Sequence, residues 1–450
     1  MNKLYIYILL VACLASCANP WDDHSRLPDD LNNTLYQLVE NDPELSVFAD
    51  MMRASGIDSE IEANKSYTIW APTNNSMQDL PDSIRNNNEA MRRFVGNHIG
   101  YLENFTQDAQ ETVRVKMVNG KVNTFHNTTF TSAEKTVNIS NKDRLAKNGV
   151  LHKVDGFLVP RKNVWENMQA ETDNPISQLV RTMIDTDSLT GVRSNYFQSD
   201  IVDLSNEDSL YTFVMLTDEA FAKFRAEMQP YYKDTLPDGE VLRAFTKGLT
   251  KDLVSKSVYY NQVPASLLSI DSVEIYFNPE NIVRTIDSSN GIIYLMNDFE
   301  YKLADKIPEI LIEGEDYNAL SGSSNFVSIR PRSWASNGKD LLARGHATAS
   351  FHITYHVPQA HSTKYKIYWR AVNDNYIPRN NEQRLAINTI DNNTFPYIWV
   401  ERETFEEVFI GEHEVDVHGK LSLLVTSASV TNNDWNTIVL DYIRLEPVFE

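Results

Sequence analysis

Two histidines, His98 and His152, are the first residues in this chain whose type could do chemistry. A neutral imidazole is a zinc ligand, but a zinc site needs three or four such groups at short spacing. No third ligand stands at a suitable distance along the chain. The pair therefore reads as a helix histidine and a strand histidine hydrogen-bonded to core backbone. Carboxylates are a poor guide, because 62 Asp and Glu residues put acidic pairs everywhere. The sequence has no H-E-x-x-H, no G-x-S-x-G, no phosphate loop and no dinucleotide glycine pattern. Its 16 glycines also leave little for a loop that cradles phosphate. The expectation is a protein without catalytic activity.

The two cysteines, Cys13 and Cys17, both lie near the start, so the body is expected to carry neither a disulfide nor a thiolate metal site. Cys17 ends the stretch "MNKLYIYILLVACLASC", in which Lys3 precedes an apolar run up to Ala15. That run is too short to span a bilayer and has the length of a signal-peptide core. Leu14-Ala15-Ser16-Cys17 resembles the lipobox of bacterial lipoproteins. The resemblance implies cleavage before Cys17, acylation of Cys17 (palmitate included) and a stable membrane anchor. An ordinary secretory signal is the alternative. Residues 1–16 would be the signal and 17–30 an acidic tether, "CANPWDDHSRLPDD". Acidic residues there resemble the surface-export signals of some Gram-negative lipoproteins, which implies an outer-membrane protein facing the cell exterior.

Composition suits folded material: 42% hydrophobic, 23% charged, over 450 residues, enough for two to four domains. A formal net charge of −21 argues against nucleic acid as a partner, since phosphate binding needs a basic face.

Beyond the tether, the elements that would hold the histidines come into view. Leu35, Leu38, Val39, Leu45, Phe48 and Met52 recur with helical spacing, and Gly56 is a natural stop. Tyr67–Ala71 reads as a strand ended by Pro72, with Thr73 placed to cap a following helix. "VRVKMVNGKVNTF" reads as a hairpin turning at Asn119-Gly120. "NGVLHKVDGFLVP" (Asn148–Pro160) reads as a turn, a strand and a stop. The motif around Thr68–Met77, a helix near His98 and the closing Asn148, Gly149, His152, Val154, Asp155, Leu158 and Pro160 together resemble the fasciclin domain, over residues 31–160. Tyr211–Phe221 repeats the first motif and Asn290–Pro308 echoes the second. Thr217 follows Thr73 by 144 residues, and Asn290 follows Asn148 by 142. Residues 174–308 therefore resemble a second, divergent fasciclin domain in which Leu216 and Tyr294 stand where the family has proline and histidine.

From Ile310 the texture becomes strand after strand with polar loops, which implies a β-sandwich. "ATASFHITYHVP", "KYKIYWRAV", "QRLAINTI", "PYIWVE", "KLSLLVTSAS" and "TIVLDYIRLEPV" are its strand candidates. Ile312–Tyr317, Phe351–Pro358 with Tyr365–Arg370, and Leu440–Leu445 resemble three phrases of the family 6 and 35 carbohydrate-binding modules, over residues 310–450. The expected fold is thus multidomain: two α+β fasciclin domains, then an all-β jelly-roll sandwich of the galactose-binding kind.

That last resemblance implies two sites. Acidic residues of the entry and exit strands hold a structural calcium in such modules, which implies Glu313, Glu315 and Asp441 as ligands of hard-oxygen type. Sugar is held by a tip loop, where an aromatic ring covers the apolar face of a pyranose and amides take its hydroxyls. The loop "SVTNNDWNTI" offers Trp435, Asn432, Asn433 and Asn436, and Trp334 in "RPRSWASNG" could join them. Trp369 and Trp399 sit in strand patterns and read as core. The expected function is a cell-surface lipoprotein that binds glycan, as an accessory of an outer-membrane polysaccharide-uptake complex. The alternative is a structural or adhesion protein that works through protein contacts of its fasciclin domains and has no sugar site.

Overall fold

The computed structural model describes residues 29–61, 65–132, 135–234, 239–258, 263–346, 350–374, 381–428 and 437–449. Cys13, Cys17 and the signal segment lie outside them. Two compact units result. The first holds the described residues up to Asn167 together with Ser205–Leu210 and Asp287–Gly291; the second holds Met168–Leu204, Tyr211–Ile286 and the described residues from Ile292 on.

The first unit begins with a capping box. Thr34 accepts from the Gln37 N–H and the Gln37 side chain returns to the Thr34 N–H, which starts the helix Leu35–Glu40. The apolar spacing suggested one helix to Met52, but two form, Leu35–Glu40 and Ser46–Ala54. Pro43 has no N–H to continue the ladder, and Asp42 caps a new turn instead. Thr73 likewise starts only a run of turns, with its hydroxyl accepting from the Ser76 N–H; the next helix is Asp82–Arg85.

A seven-stranded sheet follows in the order Ile99–Tyr101, Tyr67–Pro72, Gly149–Val154, Lys135–Ala146, Thr129–Ser132, Val122–His126, Val113–Lys116. Every residue of Tyr67–Pro72 is buried because both faces are covered. Ile69 and Ala71 face the helices with Leu38, Phe48 and Phe94. Trp70 faces the other way and stacks on Phe130 with ring centroids 4.2 Å apart.

The turn before the closing strand clips this unit shut. Asn148 Oδ1 accepts from the Leu35 N–H at 2.7 Å, an otherwise unpaired donor at a helix start. Lys147 N donates to Asn33 O, and Tyr67 N to Asn148 O. Gly149 sits at φ +145°, where a Cβ would lie 1.8 Å from Tyr67 O. The second repeat writes the same bonds. Asn290 Oδ1 accepts from the Val164 N–H at 2.8 Å, and Ser289 N donates to Lys162 O. Thr73 N donates to Val154 O; Thr217 N donates to Met296 O. The helix equivalent to Leu35–Glu40 is therefore Val164–Ala170, ahead of Asn174, which caps the next helix, Pro175–Thr182. Here Thr217 does cap a helix, Asp218–Met228. Tyr211–Leu216 lies beside Gly291–Met296 in a four-stranded sheet.

The C-terminal part is a sandwich. Its four-stranded sheet runs Ile310–Glu313, Tyr442–Val448, Lys364–Arg370, Val408–Glu414; its five-stranded sheet runs Ala319–Leu320, His352–Ala360, Gly419–Ser427, Asn381–Ile387, Ile398–Val400. Alternate residues of both, among them Tyr365, Ile367, Trp369, Ile353 and Tyr355, form one core. The fold is the expected one, α+β repeats followed by an all-β jelly-roll sandwich. Three of its strands were not legible as strands. Val327–Pro331 and Lys339–Ala343 pair around a polar loop, and Val408–Glu414 carries an irregularity opposite Ile367 and Tyr368. The exit strand is not continuous: Asp441 breaks it into Ile438–Leu440, which joins Lys339–Ala343, and Tyr442–Val448.

Asn148→Ala and Asn290→Ala should each cost about 1–3 kcal/mol, the worth of a lost cap with a buried donor left unpaired. Gly149→Ala should be worse than either. Urea unfolding checks this; an Asn290→Ala midpoint equal to that of the parent chain would show that the repeated clip is not stabilising.

Candidate calcium and glycan sites

Asp441 is placed by the strand break itself. Its N–H donates to Arg370 O at 2.8 Å and its carbonyl accepts from the Gly314 N–H at 2.6 Å. The side chain is thereby turned inward and fully buried. A Cβ on Gly314 would lie 2.3 Å from Leu440 O, so only glycine lets the entry strand approach this closely. Glu313 and Glu315 flank it, and the loop through Ser336 and Asn337 folds over all three acids.

Each acid has one oxygen satisfied by that loop. Ser336 N donates to Asp441 Oδ1 at 2.9 Å, Ser336 Oγ to Glu313 Oε1 at 2.9 Å, and Asn337 Nδ2 to Glu315 Oε1 at 3.1 Å. The other oxygens, Glu313 Oε2, Glu315 Oε2 and Asp441 Oδ2, are buried without a hydrogen-bond partner. Arg370 Nη1 lies 3.1 Å from Asp441 Oδ2, outside hydrogen-bond geometry. Burial pushes the Glu313 carboxyl up, and the charges of Glu315 and Asp441 add to the push. Burial likewise raises Asp441, against the Ser336 N–H and Arg370. Orphaned hard oxygens with a shortage of positive charge fit a divalent cation in kind. They do not form a finished cage, since among the described residues no three such side chains are gathered at metal-binding distance.

Trp334 lies in the same loop, half-buried. Its ring meets Phe405 edge-on at 5.5 Å, and the Arg370 guanidinium is 6.0 Å from its centroid. The structure thus brings Trp334 next to the acidic cluster through Arg370. Trp435, Asn432, Asn433 and Asn436 lie outside the described residues.

The expectation for Trp399 is corrected. Trp369 is buried core, but Trp399 is 52% exposed and Tyr397, two residues earlier, 38%. Both stand on the outer side of the edge strand Ile398–Val400, whose Val400 points inward. Trp399 pairs across the ladder with Glu382, and the Arg384 guanidinium lies 4.8 Å from the Tyr397 centroid. The period-two alternation of Tyr397, Ile398, Trp399 and Val400 carried this signal.

The histidines are structural. His98 Nε2 accepts from the Leu158 N–H at 3.0 Å, so Nδ1 holds the proton and donates to Phe94 O at 2.9 Å. His152 is the opposite tautomer: Nδ1 accepts from the Asp143 N–H at 3.1 Å and Nε2–H donates to Asn104 O at 2.9 Å. All four ring nitrogens are taken by backbone. His98 stands just after the helix Asn88–Gly96 rather than within it. Burial lowers both, His98 to about 4. A second buried pair, His361 and His418, packs on Tyr232 with ring centroids 5.0 and 4.8 Å away. Burial lowers these too, His361 to about 4.

Comparison with known proteins places the first repeat. Residues 43–160 match the family model of the fasciclin domain. The chain is 26% identical over 245 residues to transforming growth factor-beta-induced protein ig-h3 of Sus scrofa, covering 52% of this chain and 32% of that protein. It is 26% identical over 260 residues to human periostin, covering 54% and 29%. The chain thus spans about a third of the length of these relatives. Among solved structures, a FAS1 domain pair of the insect cell adhesion molecule fasciclin I is similar at 16% identity, covering 59% of this chain and 99% of that one, with a TM-score of 0.23. A family 35 carbohydrate-binding module from Clostridium thermocellum is similar at 15% identity, covering 31% and 98%, with a TM-score of 0.24. No helix of the described residues is long and apolar enough to cross a membrane.

The depressed histidines set an acid limit on stability. A folded pKa below the ordinary 6.5 means the fold holds the neutral ring, so stability is complete above pH 6.5 and falls as pH drops toward 4. His98 alone should cost about 2 kcal/mol at pH 5. Melting curves at pH 7 and 5 test this, with His98→Asn flattening the dependence; a melting temperature no lower at pH 5 would refute it.

Proposed function

We propose that this chain is a non-catalytic protein, held outside an outer membrane by an acylated Cys17, that binds glycan through its C-terminal sandwich as an accessory of a polysaccharide-uptake complex. The observation that carries the glycan reading is the pair of exposed rings, Trp399 and Tyr397, side by side on an edge strand with Glu382 and Arg384 beside them. A sugar ring has apolar C–H faces and polar edges, and this patch offers a partner for each. Trp334 and the tip residues Trp435, Asn432, Asn433 and Asn436 would supply a further contact. The fasciclin repeats serve as the stalk.

A protein-binding role has its own support. Leu311, Arg444, Tyr368 and Phe409 form a row straight across the outer face of the four-stranded sheet. Leu311 is 48% and Phe409 51% exposed, and Arg444 lies 4.4 Å from the Tyr368 centroid. Such a row suits adhesion through protein contacts.

A glycan panel separates the two readings. The purified chain should retain one class of glycan, and Trp399→Ala should weaken it by about tenfold or more. Cells carrying Cys17→Ser should lose surface retention while the purified variant keeps it. No retention by the purified parent chain sinks the glycan reading and leaves the protein-contact one.

Calcium is proposed at Glu313, Glu315 and Asp441, where it would neutralise the three acids and pin the entry strand to the strand break. Saturating calcium should raise stability at pH 7 by about 2.7 kcal/mol at a hundredfold excess over Kd. The gain should shrink on acidification, because the raised carboxyls of Glu313 and Asp441 take up protons and the repulsion that calcium relieves disappears. Asp441→Asn should abolish it. A melting temperature indifferent to calcium and chelator at pH 7 would remove the metal from the account.

A further inference from the structure

The first unit contains a polar cavity that neither the sandwich nor the histidines explain. Its volume is about 200 Å³, and it is lined by Lys121, Val122, Asn123, Thr124, Thr131, Ser132, Arg161 and Ser289. Two neighbouring strands, Val122–His126 and Thr129–Ser132, present one wall, with Thr124 directly opposite Thr131.

Charge is distributed unevenly around it. Lys121 is nearly buried and already neutralised: its Nζ donates to Glu207 at 2.7 Å and to Ser289 Oγ at 3.0 Å, with Glu166 at 3.6 Å. Asn123 Nδ2 donates to Asn97 O, Ser132 Oγ accepts from Asn97 Nδ2, and the Thr131 hydroxyl is bonded to that of Thr136. Among the described residues, two lining side chains have no such commitment, the Arg161 guanidinium and the Thr124 hydroxyl. No acidic residue lines the cavity. Among the described residues, the Arg161 guanidinium thus lines the cavity without a carboxylate partner.

These parts specify a ligand class. A guanidinium fork matches a carboxylate in bidentate fashion. Asn123 and Ser132, on one face of the two strands, give the cavity polar groups for a ligand hydroxyl. The cavity is smaller than the usual 300–1,000 Å³ of drug-sized sites, so it suits a single ring. We propose that this cavity binds one sugar-acid residue, a hexuronate, with Arg161 on the carboxylate and the polar groups of the lining on its ring hydroxyls. The site is separate from the sandwich patch and stands whether or not that patch binds glycan.

The test is titration calorimetry of the full chain with D-glucuronate, D-glucose and acetate. Glucuronate should bind, with glucose and acetate each weaker by about tenfold or more. Arg161→Gln should remove glucuronate binding, and Arg161→Lys should restore part of it. Arg161→Gln should leave the melting temperature unchanged, since Arg161 holds nothing in the fold. Three results would overturn the proposal: no glucuronate binding, equal binding of acetate, or binding that survives Arg161→Gln. Binding that survives Arg161→Gln but disappears in Trp399→Ala would place the sugar acid on the sandwich, leaving the reading of that patch intact.

Discussion

The α+β part of this protein depends on one small device, an asparagine followed by glycine. The Asn148 side chain closes the helix Leu35–Glu40 by accepting from its first N–H, while the Asn148 carbonyl accepts from Tyr67 at the start of the central strand. Helix, strand and closing strand, far apart in sequence, meet at two oxygens of one residue. Gly149 makes the meeting possible, because any Cβ there would strike the Tyr67 carbonyl. Asn290 does the same for Val164. Both copies have this bond, with glycine after the asparagine. A buried donor left open costs more than most surface substitutions can, so the clip resists change.

The sandwich has a different constraint, the break at Asp441. One residue passes the chain from the sheet edge that holds Lys339–Ala343 to the sheet that holds Lys364–Arg370. Its backbone is tied to Gly314 and Arg370, and its carboxylate is turned inward as a consequence. Three acids with three unsatisfied oxygens and one guanidinium are an electrostatic imbalance. Buried like charges are costly unless countercharge is supplied. The same geometry that closes the sandwich therefore leaves three carboxylate oxygens buried without a hydrogen-bond partner.

Much of this was legible beforehand. The strand at Tyr67–Ala71 followed from its residues and the stop at Pro72, the hairpin from Asn119-Gly120, and the duplication from paired landmarks. Glu313, Glu315 and Asp441, which the resemblance implies as ligands, each leave one oxygen buried without a hydrogen-bond partner, yet they are not gathered at metal-binding distance. The misreadings have local causes. Pro43 divided a helix that periodicity alone made continuous. Thr73 and Thr217 occupy equivalent positions, yet only the second caps a helix at once. Residue type puts Trp399 in the core, whereas the alternation around it points outward. Trp334 turned out to serve the acidic loop through Arg370, a contact that spacing along the chain does not encode.

Local chemistry is what the linear order of residues settles: where strands run, where turns need glycine, which helices have caps, and that the chain repeats. These depend on neighbours within a few positions, where sterics and hydrogen bonding act on the backbone directly. Only the folded molecule decides which of many acids lose their water, which aromatic rings remain exposed, and which arginine is left without a carboxylate. Desolvation and charge pairing depend on distance in space, and in this chain the partners that matter, Gly314 with Asp441 or Lys121 with Glu207, are separated by most of a domain or more.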